Sequence, residues 1–265
     1  YENTSMAWIV NYTDHNQDSY YGARDYQARQ QTVFANYIFQ SIFGNNENQK
    51  YSAGVTFNFD RFDESFNDFD ILALKPTKRA DFVRSERVIG AFFQYTGAFW
   101  EKLTVMAGLR YDYHNLFGGF VTPRLHLAYA PDDFTMLKFS AGHGARTANI
   151  LADNSYLLAS TNSVYVNNKL LVEHPEELDR LDMEQAWNFG VQLNRKFILF
   201  GRMLNIILDH YRTDFTNQVV VDNETEAGKV NFYNLDGDSY SNCYQVEVKY
   251  ELIPRLDVTG AYRYN

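Results

Sequence analysis

The sequence predicts an all-β fold: an antiparallel, up-and-down transmembrane β-barrel, of which this chain forms an incomplete part. Three observations lead to this prediction. Apolar and polar residues alternate along much of the 265-residue chain, which is the side-chain period of a β-strand. Short turns alternate with longer connections between these segments. Aromatic residues make up 17% of the chain, yet the mean hydropathy is -0.42, so the rings are spread among polar residues, as in the girdles of membrane barrels.

The alternation is clearest along Leu103–Tyr113, where odd positions are apolar and most even positions are polar. The same pattern recurs along Tyr51–Asp60, Trp187–Asn194, Tyr244–Tyr250 and Leu256–Tyr264. Counting such segments predicts about eleven or twelve strands. Helical periodicity is scarce, apart from one short turn predicted near residues 148–159.

The connections differ in length at the two ends of the predicted strands. Short turns are predicted near residues 44–49, 100–102, 130–133, 195–197 and 252–255. Long connections are predicted over Asp14–Gln27, Phe62–Arg84, Ala148–Asp182 and Thr216–Ser239, with a brief one near Leu116–Gly119. Turns at one end and long loops at the other are typical of a barrel that spans an outer membrane.

A membrane barrel reverses the usual assignment of the two strand faces. The predicted strands have about 9–15 residues, more than the ~5–6 of soluble sheets and enough for the about 9–11 that a tilted crossing needs. The apolar face then contacts lipid and the polar face lines the lumen. Charged strand residues such as Arg110, Arg124 and Lys138 would otherwise be costly buried charges.

Composition argues against several other functions. The net charge of -9 argues against binding nucleic acid through its phosphates, and Cys243 alone cannot form an intrachain disulfide. The six histidines form no H-x-x-x-H or H-E-x-x-H pair, and no G-x-S-x-G motif occurs. We therefore predict no catalytic residue, no metal site and no cofactor. Acidic stretches at 60–70, 173–182 and 234–238 leave calcium binding in outer loops as an alternative.

Four short motifs then follow one another in the middle of the chain. They are Gly-Leu-Arg-Tyr-Asp at Gly108–Asp112, Thr-Pro-Arg at Thr122–Arg124, Tyr-Ala-Pro at Tyr129–Pro131 and Ser-Ala-Gly-His-Gly-Ala-Arg at Ser140–Arg146. With the segments 184–194, 204–222 and 244–265, their order resembles the mid-barrel of TonB-dependent outer-membrane receptors, particularly those of Bacteroidetes-type bacteria. The resemblance covers most of the chain and is weakest over the first 80 or so residues.

The resemblance implies a barrel of about 22 strands that holds a folded plug. Residues 1–265 would then be one partial barrel domain, about half of the wall, with the plug domain and the C-terminal strands absent. The implied function is uptake of a scarce nutrient across the outer membrane of a Gram-negative bacterium, driven by TonB. Implied partners are outer-membrane lipid and lipopolysaccharide, the receptor's own plug, TonB through the missing N-terminal region, and a small nutrient.

Five charged or titratable residues are predicted to face the lumen and to contact either the ligand or the plug. They are Arg110, Asp112, His114, Arg124 and Arg146. Plug contact is favoured, because a packed plug needs charged partners along the inner wall. The nutrient class stays open between siderophore, heme, cobalamin and glycan. A passive porin is the main alternative function, followed by a barrel enzyme or adhesin.

Overall fold

A computed structural model describes residues 3–22, 24–70 and 75–265. The described residues form fifteen strands and one short α-helix. In chain order these are β1 (Ser5–Tyr21), β2 (Arg24–Phe43), β3 (Asn46–Asp70), β4 (Lys75–Phe99), β5 (Leu103–His114), β6 (Gly118–Asp132), β7 (Thr135–Arg146), α1 (Ile150–Asp153), β8 (Ser163–Val166), β9 (Lys169–Leu170), β10 (Glu184–Leu199), β11 (Arg202–Asn217), β12 (Val219–Asp222), β13 (Lys229–Asn234), β14 (Ser239–Ile253) and β15 (Leu256–Tyr264). Two 3-10 helices lie at Ser155–Ala159 and Pro175–Arg180.

Eleven of the described strands form one sheet in the order β1-β2-β3-β4-β5-β6-β7-β10-β11-β14-β15. Each strand pairs antiparallel with its neighbours in this order, which is the topology of an up-and-down wall. The predicted fold class is therefore confirmed, and the eleven strands of the wall agree with the predicted number. The other four described strands form a separate small sheet.

The two faces of the wall have the polarity that a membrane barrel requires. On β5, the apolar residues Leu109 and Tyr113 are 57% and 56% exposed, whereas Asp112 and His114 are 4% and 3% exposed. The strand pairing carries the same alternation across the wall, so one face is apolar and open while the other collects the charged groups. We call these the lipid face and the lumenal face.

Aromatic rings on the lipid face cluster close to the short turns. Phe43 contacts Tyr51 with ring centroids 4.8 Å apart and Tyr95 with centroids 6.0 Å apart, and Phe99 contacts Trp100 at 6.0 Å. Such a belt is expected where the wall meets the inner-leaflet headgroups, since an aromatic ring suits an environment that is part apolar and part wet. The short turns therefore mark the periplasmic end of the wall.

Most of the predicted short turns are confirmed, with one shift in position. The turn expected near residues 195–197 lies at Phe200–Gly201 instead, between β10 and β11. Both of its residues have positive φ, 50° and 75°, as tight hairpin turns require. The Trp100–Glu101 turn has the same character, with φ values of 51° and 58°.

Two predicted long loops, Asp14–Gln27 and Phe62–Arg84, are wrong. Strands β1 to β4 run through both segments, and the acidic stretch 60–70 therefore lies in β3 rather than in a loop. Ala23 and residues 71–74 fall outside the described residues. The four strands thus continue well beyond the length that a membrane crossing needs.

The extensions resemble loops in sequence because their outer face is surrounded by water. The Arg29 guanidinium pairs with Asp14 at 2.6 Å, and Arg61 pairs with Asp63 at 3.0 Å, both on that face. The opposite face carries the buried side chains of Tyr26 and Phe66. A polar exterior hides the apolar periodicity by which a membrane strand is recognised.

The connections β7–β10 and β11–β14 fold into a compact unit, here called the cap and comprising residues 147–183 and 218–238. Its small sheet has the order β12-β13-β8-β9, and β13 pairs with β8 in parallel. The short helical turn predicted near residues 148–159 is confirmed by α1 and the 3-10 helix that follows it. Among the described residues, no helix is long and apolar enough to cross a bilayer.

One hydrophobic core joins the cap to the extended strands. Its most deeply buried members include Phe232, Val166 and Leu171 of the cap together with Tyr26 and Phe66 of the wall, all at most 2% exposed. The guanidinium of Arg24 also donates to the Ser160 carbonyl at 2.5 Å. The cap therefore packs on the lumenal face of β2–β4, at the end of the wall opposite the periplasmic turns.

Placing arginine at Leu109 of the full-length protein tests the face assignment. Leu109 lies near the middle of β5 on the lipid face, where an arginine costs about 2–4 kcal/mol because its charge must be desolvated. We expect Leu109→Arg to reduce the fraction of protein that shows heat-modifiable gel mobility. Met106→Arg, on the lumenal face of the same strand, should keep the wild-type fraction. Equal losses for both variants would contradict the assignment.

Candidate functional site

All five predicted site residues lie on the lumenal face. Arg110, Asp112 and His114 alternate along β5, and the β5–β6 and β6–β7 registers place Arg124 on the same face. Arg146 ends β7 on that face, since it pairs with Glu184 of β10. The structure thus places the five residues on one surface, but it arranges them in three separate groups.

Arg110 and Asp112 form the first group with Thr56 of β3. Arg110 donates through Nε and Nη2 to the two carboxylate oxygens of Asp112, at 2.6 and 2.5 Å, and Nη2 also donates to Thr56 Oγ1 at 2.7 Å. A two-bond pair of this kind is strong and directional. Asp112 is almost fully buried, so the group ties β3 to β5 and leaves little of the carboxylate for a ligand.

Gly90 of β4 provides the space for this group. A Cβ at position 90 would clash with Oδ1 of Asp112 and lie 2.7 Å from Arg110 Nη2 and 2.8 Å from Thr56 Oγ1. The absence of a side chain on β4 therefore lets β3 and β5 contact one another across it. The sequence contains this glycine, but alternation alone does not single it out.

His114 belongs to a second group, which connects the wall to the cap. Its Nε2 lies 3.4 Å from Glu86 Oε2, and its Nδ1 accepts the backbone N–H of Leu116 at 3.1 Å. The ring therefore joins Glu86 of β4 to the turn that follows β5. Glu86 also accepts from the Thr147 hydroxyl at 3.1 Å.

Arg84 completes the second group. Its Nε lies 2.7 Å from Glu86 Oε1, and its Nη2 donates to the side chain of Asn149 at the start of the cap. Sequence reasoning missed Arg84, Glu86 and Thr147, because the first two fall in or beside a predicted loop. The even-numbered positions of β4 would have been the signal for them.

Arg146 and Arg124 differ in how their charge is neutralised. Arg146 Nε pairs with Glu184 Oε2 at 2.6 Å, and its Nη2 lies 3.6 Å from Asp153 of α1, at the end of the wall that carries the cap. Arg124 instead donates to the neutral Gln94 side chain at 2.5 Å. Carboxylates of the wall and cap therefore neutralise the charge of Arg146, whereas the partner of Arg124 is uncharged.

Glu177 is the main charged group buried in the cap. It is 2% exposed and accepts from Lys169 Nζ at 2.7 Å and Asn167 Nδ2 at 3.3 Å, while Arg180 lies 3.0 Å away. The hydrogen bond from Lys169 lowers the pKa of Glu177 below its ordinary 4.5, with further lowering by Asn167 and Arg180. A buried carboxylate with these partners holds the 3-10 helix against β9.

The lowered pKa of Glu177 predicts that the cap loses stability in acid. Because the folded pKa is depressed, the stabilisation is complete above pH 4.5 and is lost as the pH falls through the lower folded value. We expect amide exchange in residues 163–180 to rise over that range, as measured by hydrogen-exchange mass spectrometry of the full-length protein. The Glu177→Gln variant should have a less stable cap at pH 7 and a flatter pH dependence. A pH profile identical to wild type would contradict this role.

Among the described residues, no three His, Cys, Asp or Glu side chains come close enough together to hold a metal ion. In the acidic stretch 234–238, Asn234 instead donates to the Asn217 side chain at 3.0 Å and to the Asp182 carbonyl at 3.3 Å. Calcium binding in the outer loops stays an untested expectation.

A 520 Å³ cavity opens on the lumenal face between β5 and β11. Its lining includes His126, Lys138, Ser140, Gln192 and Tyr211. These side chains bring amide, hydroxyl, imidazole and ammonium groups to a lining whose surface is otherwise mostly apolar, with Met106 and Ala128 among its members.

The chain matches one protein-family model and is similar in structure to several solved proteins. The model of the TonB dependent receptor-like β-barrel matches residues 1–265. The copper transporter OprC shares 14% identity with a TM-score of 0.64, over 99% of this chain and 43% of that one. The Serratia marcescens hemophore receptor HasR shares 13% identity with a TM-score of 0.63, over 98% of this chain and 45% of that one. The siderophore receptor PiuA from Acinetobacter baumannii shares 13% identity with a TM-score of 0.62, over 100% of this chain and 44% of that one. No curated protein matches the chain.

The fold and its two faces define an outer-membrane β-barrel wall. The chain belongs to the TonB-dependent receptor β-barrel family, whose place is the outer membrane of Gram-negative bacteria. It spans somewhat less than half the length of these three solved structures. At such low identity, the likeness to them establishes the fold alone.

Proposed function

We propose that the chain forms part of the wall of a receptor that takes up a scarce nutrient with energy relayed by TonB. The observation that carries the proposal is a family match over all 265 residues, in a wall whose lumenal face is polar and whose outer end is capped. Solved neighbours are described as siderophore and hemophore receptors and a copper transporter. The nutrient class of this protein remains open between siderophore, heme, cobalamin and glycan.

The proposal includes the parts that complete the receptor. Residues 1–265 serve as one partial barrel domain, and further strands close the wall, because an open strand edge cannot persist in lipid. A plug domain fills the lumen, TonB contacts the N-terminal region, and lipid and lipopolysaccharide surround the lipid face. Arg110, Asp112, His114, Arg124 and Arg146 line the lumen beside the plug or the ligand, with no catalytic role.

Two alternatives predict different behaviour. A passive porin has an open aqueous channel and no plug, and a barrel enzyme or adhesin needs catalytic residues or a passenger domain. Family membership favours the receptor, since the matched family and the solved neighbours are receptors and transporters.

Uptake measurements with the full-length protein test the proposal. Deleting its gene should abolish high-affinity uptake of one nutrient from the four classes, and deleting TonB should have the same effect. In planar bilayers, the purified receptor should be closed at rest. Steady open-channel conductance together with uptake that is independent of TonB would show that the protein is a porin.

A further inference from the structure

The outer rim of the wall is uneven, and the hairpin between β5 and β6 is its low point among the described strands. β5 ends at His114, and the backbone N–H of Asn115 donates to the Arg87 carbonyl of β4 at 3.1 Å. β4 itself continues outward from Arg87 to Lys75, roughly 40 Å at about 3.3 Å per residue. The tall strands β2–β4 therefore stand beside a notch in the rim, which lies above the β5–β6 hairpin.

The chain that leaves β7 crosses this notch, and we call the crossing segment, residues 147–149, the strap. The hydroxyl of Thr147, the first residue after β7, donates to Glu86 Oε2 of β4 at 3.1 Å. Arg84 of β4 donates to the side chain of Asn149 at the other end of the strap. Because β4 lies three strands from β7 in the wall, the strap passes over β6 and β5 with no spare residues.

One side of the cap is anchored on the tall strands. Ile150 and Leu151, which directly follow the strap, are 4% and 2% exposed in the core that they share with Tyr26 and Phe66. Lifting the cap from β2–β4 would bring this core into contact with water and would break the hydrogen bonds of the strap at the same time. The two sets of contacts therefore hold the same position of the cap.

The opposite side of the cap is anchored on β10. The backbone N–H of Val219 donates to Glu184 Oε1, at the start of β10, at 3.2 Å. The backbone N–H of Asp182 donates to the Asn234 side chain at 2.9 Å and so joins the two connections that form the cap, which the pairing of β13 with β8 joins again. A lid swings about a hinge and has a free edge, whereas the cap is attached on both sides of the notch.

We propose that the cap is a fixed bridge over the β5–β6 notch, which keeps its position on the wall during transport and does not open as a lid. A nutrient then passes beside the cap, and the movement that admits it takes place in another part of the receptor. This inference rests on the proposed function, because it concerns a transport cycle. It follows from attachment on both sides together with a core that closes only when the cap is seated.

Covalent joining of the cap to the wall tests the bridge. Val83 of β4 and Asp179 of the second 3-10 helix line one 190 Å³ crevice between the wall and the cap. In the full-length receptor with Cys243→Ser, Val83→Cys and Asp179→Cys, the two thiols add across the two double bonds of a short bismaleimide and form two thioethers. The two single-cysteine variants, treated with the same reagent, are the matched controls.

The readout is uptake of four compounds: a ferric hydroxamate siderophore, hemin, cyanocobalamin and a maltooligosaccharide. We expect the joined receptor to take up whichever of them the wild type imports, at the rate of the two controls. A rate that falls in the joined receptor alone, to the level of a TonB deletion, would overturn the inference, because it would show that the cap has to leave the wall.

A distance between spin labels provides a second measurement, which needs no transported compound. Tyr156 of the cap and Leu116 of the β5–β6 hairpin are 67% and 49% exposed, so labelled cysteines there report the position of the cap above the notch. Pulsed electron paramagnetic resonance of outer membranes, again with Cys243→Ser, should give one distance that none of the four compounds changes. A second, longer distance, with or without a compound, would show a lid. Uptake of all four compounds that is independent of TonB would instead refute the proposed function, while the measured distance still decides whether the cap is fixed.

Discussion

Truncating Phe232 to alanine is expected to open the cap while leaving the barrel wall intact. Phe232 lies in β13, the strand that joins both halves of the cap sheet, and it is 2% exposed among cap and wall side chains. Loss of a fully buried phenylalanine costs about 3–5 kcal/mol, from lost burial and from the cavity left behind. That amount is a large share of what can hold a unit as small as the cap.

Hydrogen-exchange mass spectrometry of the full-length receptor measures this effect. Phe232→Ala should raise exchange throughout 147–183 and 218–238, with β5–β7 unchanged. Tyr156→Ala is the matched control, because Tyr156 is an aromatic cap residue that is 67% exposed. Exchange that rises equally in the wall, or a cap that stays protected, would show that the cap does not depend on this core.

Valine at position 90 is expected to disrupt the connection between β3 and β5. Its side chain would occupy the space of the Asp112 carboxylate and displace Arg110 from Asp112 and Thr56. We expect a loss of about 3 kcal/mol, at the upper end for overpacking, because a buried carboxylate also loses its partner. Urea unfolding of the detergent-solubilised receptor, followed by heat-modifiable mobility, would report it.

Gly144 is the matched control for Gly90. It lies on the same lumenal face, in β7, and an added Cβ would meet nothing within 4 Å. Gly144→Val should therefore unfold close to the wild-type urea concentration. If Gly90→Val matched the control, the glycine would have no role in forming the group around Asp112.

Alternation along the strands made the wall predictable. Each lumenal or lipid-facing position follows from its parity in the strand, so the side of Arg110 or Leu109 can be assigned without a structure. The odd or even position of a residue in its strand does not, however, identify the side chain with which it pairs. The β7–β10 register places Glu184 beside Arg146, whereas the β5–β6 and β6–β7 registers place glycines beside Arg124, and no local pattern encodes these registers.

The cap and the extended strands were not predictable for a different physical reason. The cap strands have two to six residues each, too few for a period to be measured. Tyr26 and Phe66 look like isolated aromatic residues in polar segments, and their burial depends on contacts with Val166 and Phe232, which lie far away in the sequence. Only the tertiary fold brings these residues together.

The parallel pairing of β13 with β8 also constrains the order of assembly. The two strands come from different connections, β11–β14 and β7–β10, and their shared core also needs β2 and β3 in place. These contacts span much of the chain, and contacts between distant segments form slowly because the intervening chain must first be ordered. The core of the cap is therefore complete only when both connections and the extended strands β2 and β3 are all in place.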